Sequence, residues 1–186
     1  MASANVNREG IVSLDHVVSQ VAESIEGSSA NLYVIVTHYD ADGLAAASII
    51  GRALLKNERM FIIRVIDQAD EETLRRIPKG DYYIFTDLGS AAINIIAKNE
   101  LKPASILDHH EPLRSEEHES NIHEVNPHVI GIDGSKEVSA SGLTYLVAKK
   151  MKAEDHIAAY LAITGAIGDR QENAAWMWLA VARKTL

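Results

Sequence analysis

The 186-residue sequence contains no cysteine, few aromatic residues and no long apolar run. Without cysteine the chain can form no disulfide framework, no thiolate zinc site and no cysteine nucleophile. No apolar stretch approaches the ~20 residues that a membrane-spanning helix needs, and the N-terminal MASANVNREG is too polar for a signal peptide. These absences predict a soluble protein in the reducing cytoplasm, with no membrane partner.

Basic residues are fewer than acidic residues. The sequence has 18 Lys and Arg against 26 Asp and Glu, for a formal net charge of -8. A surface that binds nucleic acid mainly by neutralising phosphates carries excess Lys and Arg. The acidic balance therefore argues against tight, nonspecific nucleic-acid binding by the general surface. The 47% of hydrophobic residues is nevertheless typical of a globular domain with a substantial core.

Helical and strand patterns alternate along most of the chain. After a polar leader over residues 1–10, apolar residues at helical spacing predict a helix from Ile11 to about Gly27. Short apolar runs then predict strands over 32–36, 60–66, 82–85, 104–107 and 122–125, and helices over 44–56, 70–77 and 90–98. This alternation predicts an α/β fold with a mostly parallel sheet and helices on both faces.

The C-terminal third changes character and is predicted to be helical. Its apolar spacing predicts one helix around Leu143 to Val147, a second over 157–167 and a third over 174–182. The polar stretch 111–124 is expected to be largely an exposed loop. We interpret residues 11–186 as one domain that follows the flexible leader.

Acidic and imidazole side chains follow the predicted strands. These positions are His38, Asp40 and Asp42 after the first strand, Asp87 after the third, Asp108, His109 and His110 after the fourth, and Asp169 after the second C-terminal helix. Ligands of open α/β sheets bind at the carboxyl ends of the strands, so we expect these side chains to converge. Carboxylates in close proximity cannot all stay ionised without compensation, and divalent cations commonly supply it.

The mixture of aspartate and histidine without thiolates favours Mn²⁺, with Mg²⁺, Zn²⁺ or Co²⁺ as substitutes. The ligands are more than one ion needs, which favours two ions. Ion pairs ~3.5–4 Å apart serve enzymes that cleave phosphate esters, by activating water and neutralising developing charge. Taken alone, Asp42 and Asp87 also fit helix caps or turns, and adjacent histidines also fit a solvated surface. The coincidence of all these positions at strand ends favours the metal site.

The motifs around these residues resemble those of the DHH phosphoesterase superfamily, which is named for the tripeptide present here as Asp108-His109-His110. The resemblance runs from Leu32 to Asp169 and includes HYDADG, FTDLGS, ILDHHEP and AIGDR in that order. NPH at Asn126 and SASGLTYLV from Ser139 resemble the RecJ-type branch.

The resemblance implies a role for each motif residue. His38 and Asp40 would hold one metal, Asp42, His109 and Asp169 the other, and Asp87 would bridge the two. His38 alternatively supports the ligands from outside the coordination sphere. His110 would face the scissile phosphate and Asp108 would orient the histidines, while Ser139 and Ser141 are candidate substrate contacts.

The implied activity is that of a RecJ-like exonuclease, of archaeal type, that hydrolyses single-stranded DNA or RNA with two divalent cations, Mn²⁺ or Mg²⁺. Such proteins act in DNA repair and DNA replication and add a C-terminal DHH-associated domain, and we interpret this sequence as the catalytic domain alone. The alternatives are a phosphodiesterase for nanoRNA, cyclic dinucleotides or bisphosphonucleotides, and a scaffold subunit that binds replisome or helicase-complex proteins. Digestion polarity, nucleic-acid type and oligomeric state stay open at this point.

Overall fold

The computed structural model describes residues 8–113 and 121–171. The strands are β1 (Leu32–His38), β2 (Met60–Ile66), β3 (Tyr82–Thr86), β4 (Ala104–Leu107) and β5 (Ile122–Val125). The helices are α1 (Arg8–Gly27), α2 (Ala41–Lys56), α3 (Glu71–Arg75), α4 (Ile93–Lys98), α5 (Ala140–Lys150) and α6 (His156–Gly168). Short 3₁₀ turns, Ser90–Ala92 and Pro127–Ile130, follow β3 and β5.

The five strands form one sheet in the order β2-β1-β3-β4-β5, and every pair is parallel. The chain runs outward from β1 to β2, crosses back to β3, and then continues outward to β4 and β5. The direction of winding therefore reverses between β1 and β3, where an α/β sheet opens a crevice at its carboxyl edge. The predicted α/β class is confirmed, and the sheet is wholly rather than mostly parallel.

Alternate residues of each central strand face opposite sides of the sheet. Tyr33 and Ile35 pack into a core with α1, α2, α5 and α6, whereas Val34 and Val36 pack with α3 and α4. All four side chains are fully buried, as predicted for a strand covered on both faces. Helices on both faces of the sheet are thus confirmed.

The main differences from the sequence predictions lie at edges and ends. β2 is an edge strand, so its apolar Met60 and Val65 are 67% and 49% exposed. α1 begins at Arg8, three residues before the predicted start, and residues 1–7 of the predicted leader lie outside the described residues. So do residues 114–120 of the predicted loop and the predicted helix over 174–182. Across the described residues, no helix has the length and hydropathy of a bilayer span.

Candidate metal centre

The end of β1 and the start of α2 carry three candidate ligands into the mouth of the crevice: His38 is the last residue of β1, Asp40 precedes α2, and Asp42 lies in its first turn. Asp40 is the N-cap of α2, and its Oδ1 accepts a hydrogen bond of 2.9 Å from the amide of Gly43. Gly43 lies so close to the preceding loop that an added Cβ would approach the carbonyl oxygen of His38 to 2.5 Å. Glycine therefore allows the tight turn that holds His38 and Asp40 side by side.

Asp87 lies directly after β3, at the other side of the point where winding reverses. Its φ of +62° is in the left-handed region, which a non-glycine residue adopts at an energetic cost. Its amide donates to the carbonyl of Leu107 at 2.9 Å, which keeps the turn against the end of β4. The side chain is only 1% exposed, so both carboxylate oxygens lie within the site.

The carboxylate of Asp108 accepts hydrogen bonds from nearby backbone amides. Its Oδ1 accepts hydrogen bonds from the amides of His109 (2.8 Å) and His110 (3.1 Å), and its Oδ2 accepts one from the amide of Ser90 (2.9 Å). His110 Nδ1 also lies 2.8 Å from Oδ1. Burial raises the pKa of Asp108, but the bonds from His110 and the amides outweigh it and leave the pKa below its ordinary value. Asp108 thus holds both histidines in position.

His109 is oriented through its second ring nitrogen. Nδ1 lies 2.9 Å from the carbonyl oxygen of Gly134, an acceptor, so Nδ1 carries the proton of that bond. The ring then directs Nε2 to three carboxylates, at 3.0 Å from Asp169 Oδ2, 3.2 Å from Asp87 Oδ1 and 3.8 Å from Asp42 Oδ2. A carbonyl that fixes the tautomer in this way is typical of histidines that bind metals.

Asp42 is held by the first turn of α5. Its Oδ2 accepts from the amide of Ala140 at 2.7 Å and its Oδ1 from the amide of Ser141 at 3.1 Å. The hydroxyl of Ser139 accepts from the Gly142 amide, and that of Ser141 donates to the carbonyl of Ala162. Both serine side chains are fully buried. Ser139, the N-cap of α5, and Ser141 therefore stabilise the turn whose amides hold Asp42, and their role as substrate contacts stays a prediction.

The ligand atoms form two groups that share one residue. His38, Asp40 and Asp87 make up one group, and Asp42, Asp87, His109 and Asp169 the other; within each group the ligand atoms lie within 4.8 Å of one another. In the first group, His38 Nδ1 is 2.8 Å from Asp40 Oδ2 and 3.6 Å from Asp87 Oδ2. Asp87 and His109 also group with His110.

Without a cation, the pKa values of Asp87, His109 and Asp42 are raised, so these side chains hold their protons to higher pH than usual. Burial raises the pKa of Asp87 to about 8, and the nearby carboxylates of Asp42 and Asp40 add to this rise although His109 opposes it. Burial alone would lower the pKa of His109, but the nearby carboxylates of Asp169 and Asp87 raise it to about 11. Burial also raises the pKa of Asp42.

Four of the candidate ligand atoms indicate that a cation fits this site. His38 Nδ1, both carboxylate oxygens of Asp87 and His109 Nε2 are buried and have no hydrogen bond of good geometry. Buried polar atoms without such partners are costly, and a cation would satisfy all four. The nitrogen and oxygen donors also suit a borderline or hard divalent ion. The two groups therefore fit divalent metals.

Several supporting residues had not been identified from the sequence. Gln171 Nε2 donates to the carbonyl of Gly134 at 2.9 Å, beside His109 Nδ1. Asn126 Nδ2 donates to Ser90 Oγ at 2.8 Å and to the carbonyl of His110 at 2.9 Å. Asn126 belongs to the NPH motif, which the sequence shows. No spacing in the sequence indicates Gln171 or Gly134, because the residue they contact, His109, is far from both along the chain.

Comparisons with known proteins agree with this geometry. The family model described as "DHH family, N-terminal domain" matches residues 33–167. An uncharacterized protein of the archaeon Methanocaldococcus jannaschii is 35% identical over 165 residues, which is 84% of this chain and 38% of that protein. The chain thus spans well under half of this curated relative.

Two solved structures share the fold at low sequence identity. Exonuclease RecJ bound to manganese has a TM-score of 0.66 and 18% identity, over 87% of this chain and 46% of the other. CDC45 from Entamoeba histolytica has a TM-score of 0.67 and 14% identity, over 92% of this chain and 38% of the other. The family match covers most of the chain and every residue of both ligand groups except Asp169, and so the chain belongs to the DHH family, as an N-terminal phosphoesterase domain with a buried Asp/His cluster.

Proposed function

We propose that this chain is the catalytic domain of a RecJ-like exonuclease, which hydrolyses single-stranded nucleic acid with two divalent cations, Mn²⁺ being preferred. The observation that carries the proposal is the shared Asp87, whose two buried oxygens lie between the two ligand groups. These groups offer more ligands than one ion needs, which favours two ions. A bridging carboxylate is the usual link between paired ions, and Asp87 would be that link. The manganese in the RecJ structure of the same fold supports the choice of metal.

The residues divide into two coordination sets. His38 and Asp40 would hold one ion, Asp42, His109 and Asp169 the other, and Asp87 both. When bound, paired divalent cations activate water and screen the oxygens of a phosphate ester. Asp42 is fixed to α5 through both carboxylate oxygens, each of which keeps a lone pair, and His109 is fixed to Gly134 through Nδ1, so both side chains are already oriented toward a bound cation.

His110 is placed to act on the phosphate. Its side chain is 55% exposed, unlike that of His109, and lies at the rim of the cluster. The hydrogen bond with Asp108 raises the pKa of His110, although burial opposes the rise. A protonated His110 can stabilise the negative charge that develops on the phosphate or donate a proton to the leaving oxygen. Asp108 holds the ring through Nδ1 and is a positioning residue.

The acidic surface is compatible with a polyanionic substrate if the cations are bound. The carboxylates that contribute to the net charge of -8 include those of both ligand groups. Divalent cations would offset that local charge at the place where the phosphate must lie. The phosphate of the substrate would then be attracted to the metal site, and not to the acidic surface around it.

The experiment that tests this proposal is a substrate panel. The chain loaded with Mn²⁺ would be given labelled single-stranded DNA and RNA, duplex DNA, a dinucleotide, a cyclic dinucleotide and a 3′,5′-bisphosphonucleoside. Stepwise shortening of long single strands, abolished by EDTA and by Asp87→Asn, supports the exonuclease. Hydrolysis of the small substrates alone favours the nanoRNA, cyclic-dinucleotide or bisphosphonucleotide alternative. Absence of hydrolysis with every substrate, despite bound metal, contradicts a catalytic role.

A scaffold role beside helicase-complex proteins is a second candidate, supported by the fold shared with CDC45. Every residue of both ligand groups is present, which favours catalysis over a purely structural role. Co-purification of replisome proteins with both the wild-type chain and Asp87→Asn would support the scaffold, because binding would then be independent of the metal site.

A further inference from the structure

Strand β2 forms an unprotected edge of the sheet. It lies at the end of the strand order, and in the part of the chain that the structure describes no strand pairs with its outer side. Alternate residues of β2 bond to β1, so the others direct their backbone N–H and C=O groups outward. Edge strands are commonly protected by Lys, Pro, a bulge or short length. In contrast, MFIIRVI has seven residues in continuous register with β1, and Arg64 carries its one charge.

Exposed apolar side chains continue from this edge onto α2. Ile63 and Val65 lie on the same face of the sheet as Phe61, which packs against the core beneath α2, and they are 40% and 49% exposed. An added Cβ at Gly51 of α2 would lie 3.0 Å from the ring of Phe61, so this side of the helix faces β2. Leu55, one turn after Gly51 on the same side, is 63% exposed. Contiguous exposed apolar surface of this kind marks an interaction site.

The sequence of β2 suits antiparallel pairing with a second copy of itself. A two-fold axis at Ile63, the middle residue of the strand, pairs all seven residues, with Met60 opposite Ile66 at each end. The same register places Arg59 of one copy opposite Asp67 of the second copy, once on each side of the axis. Asp67 is exposed and Arg59 is half-buried. Opposite charges that face each other across two strands stabilise their pairing.

Other two-fold registers are less favourable. Two identical antiparallel strands can shift only in steps of two residues, because a shift of one would match side chains of opposite faces. An axis at Arg64 places two arginine side chains directly opposite each other, which destabilises the pair. An axis at Ile62 pairs residues 60–64 alone and leaves Val65 and Ile66 outside the ladder. The register centred on Ile63 therefore combines the longest ladder with matched charges.

We propose that two copies of this chain associate through β2 and form one continuous sheet of ten strands, five from each copy. A two-fold axis perpendicular to the sheet places α2 of both copies on the same face, so Leu55 and Ile63 meet apolar surface of the second copy. Because β2 runs antiparallel to its counterpart, the carboxyl edges of the two halves face opposite directions and both ligand clusters stay open. The inference is independent of the proposed function, since no metal ligand takes part.

The oligomeric state of the chain in solution tests the proposal. Sedimentation equilibrium over a range of concentrations measures the dissociation constant of the wild-type dimer. Ile63→Lys places two like charges opposite each other at the axis, and we expect it to weaken the dimer at least about tenfold, the equivalent of 1.4 kcal/mol. Val129→Lys is the matched control, because Val129 is 42% exposed in the 3₁₀ turn that follows β5, at the far edge of the sheet. This control should dimerise as the wild type does.

Exchange of the paired charges tests the register. Arg59→Glu and Asp67→Arg each place like charges opposite each other at both ends of the ladder, and we expect each to weaken the dimer. The double variant Arg59→Glu/Asp67→Arg exchanges the charges, restores two opposite pairs and should recover the wild-type dissociation constant. Recovery in the double variant cannot arise from misfolding, so this series decides the matter even if circular dichroism shows Ile63→Lys to be misfolded.

Three results would overturn the β2 interface. A wild-type monomer at every concentration would mean that β2 pairs with a strand of another protein or with none. A dimer unaffected by a folded Ile63→Lys variant would show that the two copies associate elsewhere. A double variant that dimerises as weakly as the two single variants would reject the pairing of Arg59 with Asp67, and with it the register centred on Ile63.

Discussion

His109 Nε2 lies 3.2 Å from Asp87 Oδ1, and each side chain is fixed from a different strand end. Asp87 is turned inward by the left-handed backbone after β3, and His109 by its bond to Gly134. The pair joins the ligand group of His109 to that of His38. Substitution of Asp87 should therefore affect both proposed metals, whereas substitution of His109 should act directly on only one of them.

Asp87→Asn should reduce hydrolysis more than about 100-fold, because changes to residues that merely support metal ligands already cost 10–100-fold. The substitution preserves the shape of the side chain but removes the charge shared by both groups. Activity with saturating Mn²⁺ and metal content by elemental analysis would measure the effect. Asp15→Asn, at an exposed position of α1, is the matched control and should behave as wild type. Wild-type rates for Asp87→Asn would refute the bridging role.

His110→Ala should lower kcat by about 10²–10⁴-fold while both metals stay bound, since a group that acts on the phosphate contributes to turnover on this scale. Turnover and metal content would be measured on the same preparation. Loss of both ions from the variant would instead identify His110 as a ligand, consistent with its grouping with Asp87 and His109.

Gln171→Ala should weaken Mn²⁺ binding by about 10–100-fold, because it removes the donor that supports the Gly134 carbonyl beside His109. The affinity would be measured by calorimetry, and the melting temperature would report whether the fold is retained. Gln20→Ala changes an exposed glutamine on α1 and serves as the control. Equal affinities of the two variants would show that Gln171 does not position His109.

Metal binding at pH 7 should release protons from His109 and Asp87, whose pKa values are raised to about 11 and about 8 in the metal-free site. Both groups hold a proton below these values, and a cation must displace it. The affinity for Mn²⁺ should therefore rise with pH and fall as the pH is lowered. Calorimetry in buffers of different ionisation enthalpy counts the released protons, and buffer-independent heats would contradict the prediction.

Asp155→Asn should lower the free energy of unfolding at pH 7 by about 0.5–1 kcal/mol. Asp155 caps α6 through the Ala158 amide and pairs with Arg52 at 2.5 Å and Lys56 at 3.3 Å. Burial raises the pKa of Asp155, but these partners outweigh it and leave the pKa below its ordinary value. Asparagine retains the cap, so the variant isolates the charge.

The sign of the pH dependence follows from this lowered pKa. The charged form stabilises the fold fully above the unfolded pKa of about 3.9, and this stabilisation is lost as the pH falls toward the folded value. Urea unfolding at pH 7 and below pH 4 should therefore show the two proteins converging at acidic pH. A difference that persists unchanged at acidic pH would mean that packing, and not charge, accounts for it.

Patterns along the chain were sufficient for the sheet and for most of the site. Each predicted strand is present because short apolar runs bounded by polar turns have few other buried conformations. The exposure of β2 was not predictable, since its apolar residues match those of a central strand. The complete burial of Ser139 and Ser141 was not predictable either, because a small polar turn has no periodicity that reveals burial; their role as substrate contacts, which the resemblance implies, stays a prediction.

The sequence by itself determined which side chains could serve as ligands and that they follow strands whose carboxyl ends share one edge. Only the tertiary structure decided how they are held, by the α5 amides on Asp42 and the Gly134 carbonyl on His109. The physical reason is that the shared edge follows from the parallel direction that local βαβ connections impose, whereas these contacts join residues distant along the chain. Their distances depend on how helices and loops pack over the sheet, which no sequence period records.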